Sequence, residues 1–257
     1  MIARSMFSRQ WGLTTLLVLA GAVLCARLGI WQLDRLAQRR AFNAHVEAMW
    51  AATPLTLTGQ PDQDLSLMEY RAVSASGSYD FENQVVLRNR YYQDVYGYHV
   101  LTPLLLEDGS AVLVDRGWIP AEGNDTPADW RKYDQPGRVT LRGQIRQGQV
   151  KPDLGGVPDP TLAPGMTRLE FWNTVNLERI GRQLPYPLLN VFLQPDVDPG
   201  DMDPPIPYQP EIELSEGPHL GYAGQWFTFA TILLLGYPVY LRKELVRPSK
   251  GSTSTDG

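Results

Sequence analysis

His219 is the residue whose type and placement most invite chemistry. It opens the run His219-Leu220-Gly221-Tyr222-Ala223-Gly224-Gln225-Trp226-Phe227, and no formal charge occurs from Gly221 to Tyr240. Twenty helical residues rise about 30 Å, the thickness of a bilayer hydrocarbon core. At 100° per residue, His219, Tyr222, Ala223, Trp226 and Ala230 share an arc of roughly 100° on one face. An imidazole at the mouth of such a helix, with two rings and two small residues below it, could ligate an iron such as that of haem. The same residues could equally be an interfacial histidine within an aromatic belt. Composition and periodicity leave both readings open.

Other chemistry finds little support. The chain has no Gly-rich phosphate loop, no Gly-x-Ser-x-Gly and no His-Glu-x-x-His. His45, His99 and His219 are too scattered to propose a zinc site, and His99, within Tyr96-Gly97-Tyr98-His99, reads as a residue that packs or caps in a sheet. The single cysteine, Cys25, excludes an internal disulfide or a cysteine metal cluster. The acidic residues read as solvated surface, and the expectation is that the protein is not an enzyme.

The elements that must carry His219 follow from charge and apolar patterning. Residues 41–219 hold 13 Lys and Arg against 25 Asp and Glu, whereas the two ends hold 10 against 3. An acidic middle offers no basic face for phosphates, so nucleic acid is not expected as a partner. Basic ends around it suit a chain whose termini face an anionic inner leaflet. Residues 12–26 form an apolar run that, read alone, resembles a secretory signal with Ala20-Gly21-Ala22 as its cleavage site. Apolar character resumes at Leu28-Gly29-Ile30-Trp31, and Trp11 and Trp31 bracket about 30 Å, so a retained membrane helix is expected.

Gly21, Cys25 and Gly29, four residues apart, would permit close approach of a second helix, which offers Gly221, Ala223 and Gly224. Beyond the membrane the helix reads on through residues 28–40. Gln32, Arg35, Leu36 and Arg39 share a face there that could meet lipid phosphates or the carboxylates of a ligand held between helices. For orientation, residues 200–218 contain five acids and no Lys or Arg, while Arg242, Lys243, Arg247 and Lys250 follow the second helix. That asymmetry puts the C-terminus in the cytoplasm or its mitochondrial equivalent. The first helix, with Arg4 and Arg9 before it and Arg27, Arg35, Arg39 and Arg40 after it, is ambiguous.

From about residue 70 the period becomes two. Strands are expected at 70–79, 84–90, 98–106, 111–118, 139–147 and 188–194, with a short helix at 175–184. Asp108-Gly109 is a strong hairpin turn between the third and fourth of these. The Pro-rich segment 195–218 reads as extended and semi-rigid, leading back to His219. The expected fold is a membrane protein in which two transmembrane α-helices, residues 11–31 and 219–241, bracket a β-rich α+β extracytoplasmic domain at 32–218. Residues 1–10 and 242–257 would be cytoplasmic tails.

Four motifs occur in order: Leu28-Gly-Ile-Trp-Gln-Leu-Asp-Arg35; Glu69-Tyr-Arg-Ala-Val73 leading to Gly77-Ser-Tyr-Asp80; Val114-Asp-Arg-Gly-Trp-Ile-Pro120; and His219-Leu-Gly-Tyr-Ala-Gly-Gln-Trp-Phe227. Together, over about residues 28–243, they resemble the Surfeit locus protein 1 family of cytochrome oxidase assembly factors. The resemblance implies a protein of the bacterial cytoplasmic (inner) membrane with both termini cytoplasmic, assisting biogenesis of a haem-copper oxidase. It implies haem a as the bound group and the oxidase's catalytic subunit as a partner, with haem a synthase and membrane lipid as further contacts. The family's histidine at the second span maps to His219 as the haem iron ligand, and Tyr222 and Trp226 would shape its pocket. Arg35 or Arg116 could offer charge to the propionates. Glu69, Tyr70, Arg71, Arg116, Gly117, Trp118 and Pro120 map to motifs expected mainly to define the fold. Ligation needs a neutral imidazole, so binding should weaken in acid. The alternative is a haem-free membrane scaffold that stabilises an oxidase subunit during assembly.

Overall fold

The computed structural model describes residues 5–59, 61, 63–198, 200, 203–208 and 210–246. Arg4, Arg247 and Lys250, used above to orient the helices, lie outside the described residues. The chain divides into two compact units: residues up to Ala44 together with those from Glu213 onward, and His45–Ile212.

The first unit is a helical hairpin. Helix α1 runs Gly12–Ala51, some 60 Å at 1.5 Å per residue. Among the described residues it is the one helix long and apolar enough to cross a membrane. The returning arm is helical from His219 to Val246: α4 (His219–Thr231), a π-helical turn at Ile232–Gly236, and α5 (Tyr237–Val246). The two arms run antiparallel, as their contacts show. Thr15 Oγ1 lies 2.6 Å from the Tyr237 hydroxyl, and the Trp11 and Tyr240 rings meet edge-on at 6.3 Å.

Gly29 lies so close to Phe227 that a Cβ there would fall 2.7 Å from the ring, and one on Gly21 would touch Leu233. Two of the small residues expected to permit helix approach therefore do so. On the returning arm that role falls to buried Ala223 and Ala230, whereas Gly221 and Gly224 are exposed, with open space where a Cβ would be. The opposite faces carry bare apolar side chains, among them Leu13, Leu16, Leu17 and Val23 on α1 and Ile232, Leu235 and Val239 on the returning arm.

The second unit is built on one sheet of eight strands: β1 (Leu55–Leu57), β2 (Ala72–Tyr79), β3 (Val85–Tyr92), β4 (Val95–Leu105), β5 (Ala111–Pro120), β6 (Arg138–Gln147), β7 (Phe171–Trp172) and β8 (Leu188–Pro195). Short helices α2 (Pro127–Trp130) and α3 (Leu177–Gly181) lie in its connections. The order is β1-β2-β6-β8-β5-β4-β3-β7, and β2 also pairs with β4 through Ser78↔Leu105 and Tyr79↔Leu104. That extra pairing closes β2, β6, β8, β5 and β4 into a five-stranded barrel, with β1 and β7 left as the outer strands of the sheet. Closure needs Gly77: a Cβ there would sit 2.1 Å from the Leu105 carbonyl oxygen.

Alternation fills the barrel. Val73, Ala75, Leu104, Val112, Val114, Ile145, Val191 and Leu193 form one buried cluster inside. The intervening Leu101, Leu113 and Phe192 face out and are covered by Leu169, Trp172, Val175 and Ile180. Both faces of β5 are therefore buried, which is why Ala111–Val114 is apolar without alternation before Asp115 and Arg116 interrupt it.

The expected strands are present with shifted ends, and the Asp108-Gly109 hairpin pairs Leu105 with Ala111. Two corrections have local causes. The strand expected from Tyr70 starts at Ala72, because Tyr70 has φ 75° and cannot be extended. The helix expected at 175–184 shrinks to Leu177–Gly181, capped by Asn176, whose side chain accepts from the Arg179 N–H. β1 and β7 were not anticipated; three and two residues are too short to show a period.

Candidate functional site

His219 is the first residue of α4, and what aims it comes from α1. Its Nδ1 lies 2.8 Å from Gln32 Oε1. With the amide oxygen as acceptor, Nδ1 donates, and in the neutral ring Nε2 presents its lone pair, a tautomer suited to metal ligation. Nε2 has no hydrogen bond of its own among the described residues. An imidazole held by a hydrogen bond to its other nitrogen is the usual arrangement of a ligating histidine, and fixes ring orientation as well as tautomer.

The approach to His219 is also pinned by α1. Arg39 donates from Nε to the Ser215 carbonyl at 2.7 Å and from Nη2 to the Glu213 carbonyl. Asn43 Nδ2 donates to the Leu214 carbonyl at 2.5 Å. Arg40 makes a two-pronged contact with Glu216, at 2.8 and 2.9 Å. This pairing raises the Arg40 pKa and holds the Glu216 carboxyl below its usual range, the hydrogen bond being the main cause of each. Arg39 and Arg40 are therefore committed to the chain that delivers His219.

Of the other expected site residues, Trp226 is half-buried on the face of α4 that carries Ala223 and Ala230, and its ring meets Phe229 edge-on at 5.9 Å. Tyr222 is 46% exposed. Arg35 stands one turn beyond Gln32 on α1, exposed, with its guanidinium 5.5 Å from the Trp31 ring and Nη1 donating to Gln38. Arg116 belongs to the barrel unit. It is 7% exposed, sits over the rings of Tyr79 and Phe81 at 5.3 and 5.2 Å, and donates to the Tyr133 carbonyl. Burial lowers its pKa. His219, Tyr222, Trp226 and Arg35 thus share the helical hairpin, while Arg116 works inside the other unit.

The residues expected to define the fold make contacts of that kind. Glu69 pairs with Arg146 at 3.3 Å. Arg71 clasps the Thr53 carbonyl through two nitrogens. Gly117, at φ 119°, is where the Pro-rich segment crosses the barrel: Ile206 and Trp118 exchange both backbone hydrogen bonds at 2.8 Å. A Cβ on Gly117 would fall 2.2 Å from the Ile206 carbonyl oxygen.

A family model described as the SURF1 family matches residues 19–231. The chain belongs to the SURF1 family. SURF1 membership implies a role in cytochrome oxidase assembly. An uncharacterised SURF1-like protein of Mycobacterium tuberculosis is 29% identical over 242 residues, covering 91% of this chain and 84% of its own length. A SURF1-like protein of Rickettsia bellii is 24% identical over 241 residues, covering 89% of this chain and 91% of its own. One from Caenorhabditis elegans is 24% identical over 261 residues, covering 93% and 77%. The SURF1 match includes both Gln32 and His219, the two ends of the hydrogen bond that orients the imidazole.

Gln32, Arg39 and Asn43 were not anticipated as site residues. A signal for Gln32 existed, since it shares a helix face with Arg35 and Arg39. Which polar side chain of that face meets His219 depends on the stagger of two helices, and no local pattern encodes it.

Proposed function

We propose that this SURF1 protein binds haem a through His219 and assists its insertion into the catalytic subunit of a haem-copper oxidase. The observation that carries the reading is the Gln32–His219 hydrogen bond, which leaves Nε2 free for iron. Among the described residues His219 would hold the iron. Haem a, when bound, supplies the iron and the propionates. Gln32 keeps the His219 proton on Nδ1, and Trp226 with its neighbouring rings offers an aromatic wall. Arg35, exposed and paired with no carboxylate among the described residues, is the better placed of the two proposed arginines to attract a propionate.

The reading includes two membrane spans, α1 and the returning helical arm, with both termini in the cytoplasm of a bacterial cell and the barrel outside. The bare apolar faces of both arms support it, since exposed Ile232, Leu235 and Val239 are costly in water and favourable in lipid. The catalytic subunit is the proposed recipient, and no enzymatic step is assigned to the protein.

The test is to co-produce the protein with the haem a biosynthetic enzymes and record its absorption after purification. Wild type should carry a haem a band that His219→Ala lacks. A colourless wild type, made where haem a is abundant, sinks the proposal and leaves the haem-free scaffold. Topology is checked separately with a reporter active only outside the cytoplasm. Placed near residue 125 it should be active, and after residue 250 it should be silent.

A further inference from the structure

The barrel holds a second histidine that the reading above does not use. His99 on β4 is 6% exposed, and its Nδ1 lies 2.9 and 3.1 Å from the two oxygens of Asp115 on β5, itself 6% exposed. Asp115 sits beside a bulge: Val100 pairs with Gly117 and Leu101 with Asp115, so Arg116 has no partner on β4. The Asp115 Oδ1 accepts the Gly117 N–H at 3.1 Å, which fixes the carboxylate in the bulge. A bulge re-aims side chains, and it commonly lies next to a site.

His99 and Asp115 line a cavity of about 340 Å³. The His99 Nε2 makes no hydrogen bond among the described residues. The neighbouring strand β3, whose Leu87 pairs with His99, has its own bulge, with Asn89 at φ 60° and the register broken between Leu87 and Arg90. There the Arg90 guanidinium makes no hydrogen bond or ion pair among the described residues. The other titratable groups around the cavity are Tyr91, Arg146 and Tyr208. Arg146 is held by Glu69 and by Gln194 at 2.8 Å, and the Tyr208 ring meets the imidazole edge-on at 5.8 Å. The rest of the lining sets apolar Leu87, Val175, Phe192 and Pro210 beside polar Asn89 and Gln194.

We propose that this cavity binds a small organic acid, a carboxylate or phosphate group on an apolar body. The oxyanion takes a hydrogen bond from His99 Nε2–H and a charge-assisted contact from Arg90, while the apolar body lies against the Leu87–Phe192 wall. Nδ1–H is already given to Asp115, so an N–H at Nε2 means the imidazolium, balanced by the Asp115 carboxylate. A ligand arriving at a neutral His99 therefore brings one proton into the site. The proposal is independent of the role of His219.

The experiment uses the full chain in detergent with isotope-labelled histidine, the His99 signals being assigned by their absence in His99→Asn. The probes are benzoate and phenyl phosphate, with benzyl alcohol and inorganic phosphate as controls. At least one acid should shift the His99 ring signals saturably, with Nε2 moving to its protonated form, and the stronger of the two names the acid group. Arg90→Gln should weaken binding at least tenfold. His99→Asn keeps an N–H for Asp115, removes Nε2, and should abolish binding, which is read by equilibrium dialysis of the acid because no His99 signal remains. Absence of any shift with either acid, equal binding of benzyl alcohol, or undiminished binding by Arg90→Gln overturns the proposal. Inorganic phosphate matching phenyl phosphate overturns the apolar part of the claim. Should His99→Asn fail to fold, Arg90→Gln, a half-exposed side chain, decides alone.

Discussion

His219 and His99 make the same hydrogen bond to different partners. Each imidazole holds Nδ1 against a side-chain oxygen brought by another element and leaves Nε2 without a partner among the described residues. His219 meets the amide of Gln32, a neutral acceptor that sets the tautomer without adding charge. His99 meets the carboxylate of Asp115, buried inside a bulge. A neutral partner suits a lone pair offered to iron, whereas a carboxylate partner can balance a positive ring that donates to an anion. The type of residue at Nε2 is identical, and the residue behind Nδ1 tells the two sites apart.

The comparison can be broken first in the barrel. Gly117→Ala would place a Cβ against the Ile206 carbonyl at a φ that alanine avoids, which should cost at least ~2 kcal/mol and release the Pro-rich segment. Thermal unfolding should show a clear loss of stability, and an unchanged transition would mean the Trp118–Ile206 bridge does not bind the segment to the barrel. In the hairpin, Gly29→Ile forces Phe227 off α1 and should cost about 1–3 kcal/mol. Haem a yield should fall with it, while the barrel's His99 signals stay in place.

Gln32→Leu sharpens the contrast itself. It keeps the volume, removes the acceptor, and should weaken haem a retention about 10- to 100-fold, the range seen when a ligating histidine loses its supporting partner. Retention equal to wild type would show that Gln32 does not orient the ring.

The smallest effect belongs to Glu216. Its pKa is lowered in the fold, so the contribution of the Arg40 pairing is complete above the usual carboxylate range. It is lost as pH falls through the lowered value. Unfolding measured against pH should therefore show a shallow decline on the acid side of that range that Glu216→Gln abolishes. An unaltered decline would assign it to other carboxylates.

Much of this was legible before any coordinates. The apolar runs, the Asp108-Gly109 turn and the alternation of the strands are short-range signals, and each is present in the fold. Closure of the barrel was not legible, because it depends on two residue pairs, Ser78↔Leu105 and Tyr79↔Leu104, far apart in the chain. The β3–β4 hairpin was also missed. Gln93 and Asp94 take φ of 48° and 65° there without the glycine that usually announces such a turn.

His219 stood out because its surroundings lack charge. His99 did not, because its partner is reached through a bulge that shifts the register between β4 and β5 by one residue. The Pro-rich segment attaches to the barrel at Ile206 through a bridge that no pattern marks.

The most direct test of the central claim removes the His219 side chain and returns only its chemistry. His219→Gly protein, co-produced with the haem a biosynthetic enzymes, should purify without the haem a band, and adding free imidazole together with haem a should restore it. A His219→Gly protein that keeps the wild-type band with no imidazole present would contradict the assignment of His219 as the ligand.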